Sequence, residues 1–248
     1  MRKYMFHFAF FILLIWLWHR ASLSMSELVL PSPLVVGSVF VDGWTSGYFW
    51  PHVSRTLREI VYGLSIGTVF GLGLGIMMGE SRMMRQFLQP YIIMSQAVPK
   101  LALAPLFILW FGFGMTSKVV ITALVCFFPI LENTLRAMHQ VKREQIELFK
   151  MMQASRFQIL MRLKIPNGIP HIMSGFRVSV ILAVVGAVVG EFIGANEGLG
   201  ALIIASQGTM NTPLMFAVLI NLTLLGMMLY GLVHMIETYG LRRYLRRE

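Results

Sequence analysis

A few ionisable residues lie inside long apolar runs, where a charge is costly unless it has a partner or faces water. Lys100 follows Pro99 in one such run, and Glu191 stands near the end of another. Ionisable residues in this setting indicate a route for a polar or anionic solute. The candidates for lining that route are Pro99, Lys100, Pro105 and Glu191.

Other interpretations of these residues stay open at this point. Lys100 could instead pair with Glu132 or with Glu191, or its amine could extend to the membrane surface. Glu191 could also be a simple hydrated carboxylate at the membrane interface.

A serine between two glycines indicates a different chemistry, nucleophilic catalysis. The run Gly63-Leu64-Ser65-Ile66-Gly67 fits the nucleophile-elbow pattern, and His234 would supply the base of a rhomboid-type intramembrane serine protease. That elbow needs a strand, a sharp turn and a helix in succession, whereas this run lies inside a predicted helix. A rhomboid-type enzyme also predicts glycine directly after the serine, where this chain has Ile66. The protease therefore stands as an alternative.

The chain lacks the residues that would hold a nucleotide or a metal. It contains no Gly-Lys dipeptide, so the phosphate-binding P-loop is absent. No Cys/His cluster has metal-ligand spacing, and the single cysteine, Cys126, allows no disulfide framework. We therefore expect neither enzyme activity nor a bound cofactor on this chain. An ion-driven secondary transporter is the second alternative, although it would usually show matching broken helices in two repeats.

Composition indicates a membrane protein. Hydrophobic residues make up 56% of the 248 residues and charged residues only 13%, and the mean hydropathy is +0.70. The net charge of +10 does not indicate nucleic-acid binding, because the basic residues cluster between apolar runs. We predict an all-α polytopic bundle that forms one domain over residues 1–248. Its six predicted transmembrane helices are 1–20, Ile60–Gly79, Pro90–Phe111, Lys118–Arg136, Ile172–Gly194 and Pro213–Ile236.

The segments around these spans carry their own predictions. Residues 1–20 have the charged head and apolar run of a signal peptide but no clear cleavage site, so we expect an uncleaved first span, with cleavage as the alternative. The stretch from there to about residue 58, with Pro31 and Pro33, is predicted as an extended linker. Further predicted connections are a polar link at Glu80–Gln89, a turn at Pro166–Pro170 and an outer loop at Gly194–Thr212.

The basic residues predict the orientation in the membrane. The amino terminus, the 80–89 link, the 137–171 segment and the carboxyl-terminal tail together carry fourteen lysines and arginines. The opposite side carries four, with Lys118 among them. Since cytoplasmic loops carry the excess of cations, both termini and the 137–171 segment are predicted to be cytoplasmic.

Glycine recurs every four residues along the second predicted span. Small residues at this spacing form one helix face that a second membrane helix can approach closely, so we expect this face to pack inside the bundle. The residues are Gly63, Gly67, Gly71, Gly75 and Gly79.

The polar interval at 137–171 holds a stretch with helical periodicity. The stretch runs ELFKMMQASRFQILMRLKIP, from Glu147 to Pro166, and its apolar residues recur at the spacing of a short amphipathic helix or a pair of helices. A helix of this kind between membrane spans lies on the membrane surface and offers one face to a soluble partner.

This stretch resembles the cytoplasmic coupling motif of ABC-importer permeases, the inner-membrane components of binding-protein-dependent transport. The motif glutamate corresponds to Glu147, and its closing proline corresponds to Pro166 at the same spacing. Gln153 replaces the motif glycine, so either the helix continues through Gln153 or a left-handed elbow is strained there. The resemblance implies that the residues contacting an ATPase are Glu147, Gln153, Ala154, Ser155, Leu163, Ile165 and Pro166.

Other runs resemble one subgroup, the nitrate/sulfonate/taurine-type permeases. The Pro99–Gly112 and Glu191–Gly200 runs look most similar to members that serve thiamine precursors or riboflavin. The resemblance implies a multi-pass permease of a bacterial inner membrane that passes a small polar or anionic solute, of the nitrate, sulfonate, taurine or pyrimidine-precursor class. It also implies two ATP-binding subunits that hold ATP and Mg²⁺, a second permease copy as a homodimer partner, a periplasmic binding protein and surrounding lipid, with no nucleic acid.

Overall fold

The fold was analysed in a computed structural model that describes residues 2–240. Arg242, Arg243, Arg246 and Arg247, which contribute to the predicted orientation, lie outside the described residues. Every element assigned within residues 2–240 is helical. In chain order the α-helices are α1 (Arg2–Ser22), α2 (Pro33–Thr45), α3 (Phe49–Glu80), α4 (Arg82–Ala97), α5 (Ala104–Phe111), α6 (Met115–His139), α7 (Arg143–Met151), α8 (Arg156–Ile159), α9 (Ile165–Phe192), α10 (Leu199–Gly208) and α11 (Thr212–Met235). A 3₁₀ turn, Lys100–Leu103, precedes α5, and π-helical segments at Leu160–Lys164 and Ile236–Gly240 follow α8 and α11.

Long apolar helices confirm the predicted membrane bundle. Five helical stretches of the described chain are long and apolar enough to cross a membrane, and a bent pair can form a sixth span. The bent pair is Arg82–Ala97 with Lys100–Phe111, and the helix axis bends by 81° between the two parts. The break therefore falls in the third predicted span, where Pro99 and Pro105 remove backbone donors.

The centre of the bundle is the packing of α3, α6 and α9. The five glycines at four-residue spacing on α3 all face α6. A Cβ built on Gly67 would lie 2.7 Å from the Ala123 carbonyl oxygen, and one on Gly71 would lie 2.9 Å from the Phe127 carbonyl oxygen. Real Cβ atoms do not come so close, so the absence of side chains sets the distance between the two helices.

The predicted extended linker up to residue 58 is wrong beyond Ser32. Ser32 is extended, as its position between two prolines requires, and its hydroxyl accepts a hydrogen bond from the Val35 N–H at 3.4 Å. Pro33 then occupies the first turn of α2, where a missing N–H costs nothing. The next helix, α3, begins at Phe49, whose side chain is fully buried. The polar residues in this stretch led to the linker prediction, whereas the stretch contains α2 and the beginning of α3.

Three other predicted connections also contain helix. The 80–89 link reduces to Ser81, which caps α4 by accepting a hydrogen bond from the Met84 N–H. The Pro166–Pro170 run forms no turn, because it lies within the first turns of α9. Pro166 occupies the helix start, where proline is tolerated, and residues 156–192 continue as one helical stretch. The predicted outer loop Gly194–Thr212 contains α10.

Candidate functional site

The segment that carries the coupling-like motif projects from the bundle. None of the residues of α7 is buried; its last residue, Met151, is 82% exposed, and Met152 after it is 72% exposed. Glu147 is also exposed on α7 and forms an i,i+4 ion pair with Arg143 at 3.2 Å. The helix thus presents both an acidic and an apolar surface to a partner.

A sharp elbow separates α7 from α8. Gln153 has φ +56°, which is left-handed backbone. Its N–H donates to the Lys150 carbonyl at 2.9 Å, and the Ala154 N–H donates to the Phe149 carbonyl at 3.0 Å. These two bonds form the Schellman motif that ends helices, usually with glycine at the left-handed position. The continuous-helix alternative for Gln153 is therefore wrong, and the left-handed elbow is observed with a non-glycine residue.

The far side of the elbow starts a new helix directly. The Ser155 hydroxyl accepts from the Gln158 N–H at 3.2 Å, while the Gln158 side chain accepts from the Ser155 N–H at 2.8 Å. This reciprocal capping box fixes the start of α8. Residues 156–192 then form what we call the coupling stem, made of α8, the π segment and α9. Leu163 is buried in this stem, and Ile165 and Pro166 are half-buried, so the motif residues divide between an exposed elbow and the stem.

The break in the third span gives Lys100 an aromatic neighbour. Its Nζ lies 4.3 Å from the centroid of the Phe128 ring on α6, within range of a cation–π interaction. The interpretation in which Lys100 pairs with Glu132 or Glu191 is wrong, since no ion pair of Lys100 occurs within the described part of the chain. Glu132 instead accepts from the Gln96 amide at 3.0 Å.

Glu191 is buried in a cluster that sequence reasoning did not find. It is 1% exposed, so the interpretation as a hydrated interfacial carboxylate is wrong. Its Oε1 accepts from the Thr56 hydroxyl at 2.6 Å, and its Oε2 accepts from the Gly200 N–H at 2.6 Å. Thr56 also accepts from the Leu199 N–H at 2.8 Å. We call Thr56, Glu191 and the Gly198–Gly200 run the outer clamp, because together they tie α3, α9 and α10.

Charged neighbours surround the outer clamp. Glu59 is fully buried on α3, where its Oε1 lies 3.0 Å from the Arg55 Nε. Lys118 is 2% exposed, and its ammonium donates to the carbonyls of Phe113 at 2.8 Å and Gly114 at 3.1 Å. The buried Lys118 therefore caps the exposed turn at Phe113 and Gly114 rather than contributing a loop cation. Glu59 lies one helical turn before Gly63, the first residue of the glycine face, and this spacing could have indicated that it is buried. The prediction of a linker up to residue 58 meant that this spacing was not used.

The proposed protease residues have no catalytic arrangement. Ser65 lies within the continuous helix α3, and its hydroxyl donates to the Val61 carbonyl at 2.7 Å. Within residues 2–240 no hydrogen bond joins Ser65 to His234. The strand and the turn of a nucleophile elbow are both missing around this serine in the described chain.

The described chain is a helical membrane bundle with a projecting helix that ends in an elbow. The description "binding-protein-dependent transport system inner membrane component" matches residues 67–238. The chain belongs to this family, and it is a permease subunit of an ABC importer. The rhomboid-type alternative finds no support.

Relatives of known annotation agree with this assignment. The chain is 39% identical over 229 residues to the riboflavin transport system permease protein RibX of Chloroflexus aurantiacus, covering 91% of this chain and 85% of the relative. It is 35% identical over 229 residues to the formylaminopyrimidine transport permease protein ThiX of Halalkalibacterium halodurans, covering 92% and 91%. A chain of the MetNI methionine ABC transporter, solved in inward-facing conformations, superimposes with a TM-score of 0.70 at 19% identity, covering 81% of this chain and 99% of the other, which shows the shared fold.

Proposed function

We propose that this permease docks a separate ATP-binding subunit through α7 and the elbow. That subunit binds ATP and Mg²⁺ and hydrolyses the nucleotide. The assembled importer contains two such subunits, a second copy of this chain, and a periplasmic binding protein that delivers the solute. The observation that carries the proposal is the projection of α7 from the bundle with no buried residue.

The exposed surface of α7 and its end suits a protein groove. Leu148, Met151 and Met152 are 55%, 82% and 72% exposed. A cluster of large apolar side chains on a surface typically marks a site of protein contact. Methionine suits such a contact because its flexible thioether adapts to the partner. Glu147 beside them adds a charge that a basic residue of the partner can meet.

Rigid geometry connects this surface to the spans. The Schellman motif at Gln153 and Ala154 and the capping box at Ser155 hold the elbow. The coupling stem is one uninterrupted helical stretch that includes α9. Leu163, Ile165 and Pro166 lie near its first turns. Movement of an ATP-binding subunit would therefore be transmitted through the stem as through a lever.

The location and solute follow from the family and the chain's charge. We place the protein in a bacterial inner membrane, with α7 and both termini in the cytoplasm, because the basic segments lie on that side. The solute is a small polar or anionic molecule, in keeping with relatives named for riboflavin and formylaminopyrimidine transport. Of the path candidates, Pro99, Lys100 and Pro105 stay in the proposal, while Glu191 belongs to the buried clamp.

A tagged pull-down from the native membrane tests the coupling. An ATP-binding subunit should co-purify with the wild-type chain and should be lost or weakened with Glu147→Ala. Glu144→Ala makes the same charge change at another exposed position of α7 and serves as the matched control. If the wild-type chain emerges alone while transport follows an ion gradient, the proposal fails and the secondary-transporter alternative gains support.

A further inference from the structure

Polar side chains recur between α4 and α6. Along α4, the stripe residues recur at the spacing of one helix face, and the same holds along α6. We call this set the polar stripe; its members are Arg85, Gln89 and Gln96 on α4, and Glu132, Arg136 and His139 on α6.

Hydrogen bonds connect the two halves of the polar stripe. Gln96 donates to the Glu132 carboxylate at 3.0 Å, and Arg85 Nη1 lies 2.9 Å from His139 Nε2. His139 Nδ1 lies 2.8 Å from the Leu135 carbonyl oxygen, which can only accept a hydrogen bond. In this arrangement His139 donates through Nδ1 to that carbonyl and accepts from Arg85 through Nε2.

The polar stripe extends from the end of α6 towards Lys100. His139 ends α6, and Phe128, which Lys100 covers, lies eleven residues earlier. At 1.5 Å per residue this distance is roughly 16 Å, about half the thickness of the hydrocarbon core. Lys100 thus stands at the inner end of the stripe, near the middle of the span.

The charge along this line is mainly positive. Arg85, Arg136 and Lys100 are cations, and Glu132 is the one carboxylate among the stripe residues. Glu132 already has the Gln96 amide and lies 3.6 Å from Arg136 Nη2, so its charge is largely met. The donors of Arg85 and Lys100 remain uncompensated by any carboxylate within residues 2–240.

A groove of about 290 Å³ runs along the stripe. Its floor is apolar, with Met78, Ile92 and Leu131 buried beneath the polar rim. Arg136 is 69% exposed in the single chain. Ionised groups at membrane depth face water or a protein partner rather than lipid, because lipid offers them no hydrogen bonds.

We propose that the polar stripe and Lys100 line the cytoplasmic half of a water-filled passage that favours small anions over cations. The inference rests on the proposed function and narrows its solute to the anionic class. Arg85 and Arg136 line the groove and Lys100 lies beyond its inner end, and together these cations raise the local concentration of anions and repel cations. The Gln89 amide in the groove adds a neutral hydrogen-bond donor for a solute that loses hydrating water on its way.

Cysteine labelling tests the wet surface directly. The native Cys126 is fully buried, so the background is low. Gln89→Cys and Ile93→Cys place a thiol in the groove, while Phe87→Cys and Tyr91→Cys place one at neighbouring positions on the opposite, aromatic face of α4. The whole transporter in inside-out vesicles is treated with an anionic and a cationic methanethiosulfonate of similar size, and each rate is divided by that for a free thiol in water.

We expect both groove thiols to react and both controls to stay unreactive. The normalised rate with the anionic reagent should exceed that with the cationic reagent roughly tenfold, as expected for two uncompensated charges acting through water at 8 Å. Lys100→Gln combined with Arg85→Gln should reduce that preference severalfold. These measurements need no ATP-binding subunit, so their failure is distinct from loss of partner in the Glu147→Ala pull-down.

Three outcomes would overturn the inference. Equal reaction on both faces of α4 would mean that the groove is no wetter than the control face. Unreactive groove thiols would mean that a second copy of the chain or another helix covers the stripe. Fast reaction with no preference between the two reagents would leave an aqueous groove that does not select anions.

Discussion

Lys164 Nζ lies 2.6 Å from Glu80 Oε1, and this ion pair connects the coupling stem to the end of α3. Both side chains are partly covered, with 14% and 30% of their surfaces exposed. Lys164 closes the π segment, a local distortion of the kind that is frequent at functional sites. Under the proposed coupling, we expect a displacement of the elbow to reach α9 through the backbone and α3 through this ion pair.

The Lys164–Glu80 pair can be tested by charge reversal. Lys164→Glu places two carboxylates together, and Glu80→Lys places two ammonium groups together. We expect each single reversal to lower the free energy of unfolding by about 1 kcal/mol, since the pair is partly solvated, and to lower the ATPase rate of the assembled transporter. The double swap should restore both quantities, measured by thermal unfolding in detergent and by phosphate release. A swap as defective as the single variants would refute the role of the pair.

The glycine face of α3 predicts a sharp contrast between two neighbouring alanine substitutions. Gly71→Ala would bring a Cβ 2.9 Å from the Phe127 carbonyl and 3.0 Å from the Ile130 side chain, forcing α3 away from α6. Overpacking of this kind costs about 1–3 kcal/mol. Gly73→Ala is the control, because its Cβ meets no atom within 4 Å, and helix propensity favours alanine by up to about 1 kcal/mol. The melting temperature should fall for Gly71→Ala only. Equal melting temperatures for the two variants would contradict close packing of α3 against α6.

The outer clamp predicts that Glu191 holds α10 in place. Glu191→Ala leaves the Thr56 hydroxyl and the Gly200 N–H without their buried acceptor, which should cost about 3 kcal/mol. In this variant the hydrogen-exchange rate of the α10 amides should rise more than that of the α6 amides. The control is Glu197→Ala, an exposed carboxylate in the loop between α9 and α10, which should change neither the stability nor the exchange of α10. Unchanged exchange in the Glu191 variant would show that α10 is held by apolar packing alone.

The elbow predicts opposite effects for two replacements of Gln153. At φ +56°, glycine removes the steric cost of a Cβ, so Gln153→Gly should stabilise the segment by about 1 kcal/mol and preserve co-purification of the ATP-binding subunit. Gln153→Val puts a β-branched side chain into left-handed backbone and should weaken that co-purification. Proteolysis of the 143–158 segment and the pull-down give the readouts. Better retention by valine than by glycine would contradict the left-handed elbow as the docking geometry.

Much of the membrane architecture was predictable because hydrophobic runs and proline positions are local signals. The all-α class, the family and the break at Pro99 followed from runs of residues that are contiguous in the chain. The sixth span, predicted as Pro213–Ile236, is observed as Thr212–Met235. In contrast, α2, α10 and the early start of α3 were missed. Their polar residues are satisfied by caps and distant partners, such as Trp44 Nε1 donating to the Asn221 side chain at 2.9 Å.

The sequence by itself determined that this chain crosses a membrane, carries a coupling-type motif and spaces its glycines for close helix contact, since composition and periodicity set hydration and helix faces. Only the tertiary structure decided the surroundings of the charged residues. Glu191 is buried because Thr56 and Gly200, far apart in sequence, supply its two donors, and Lys100 meets Phe128 because the third span bends. Whether a buried charge is hydrated, paired or bonded to backbone depends on which helices approach it, and that depends on packing across the whole bundle.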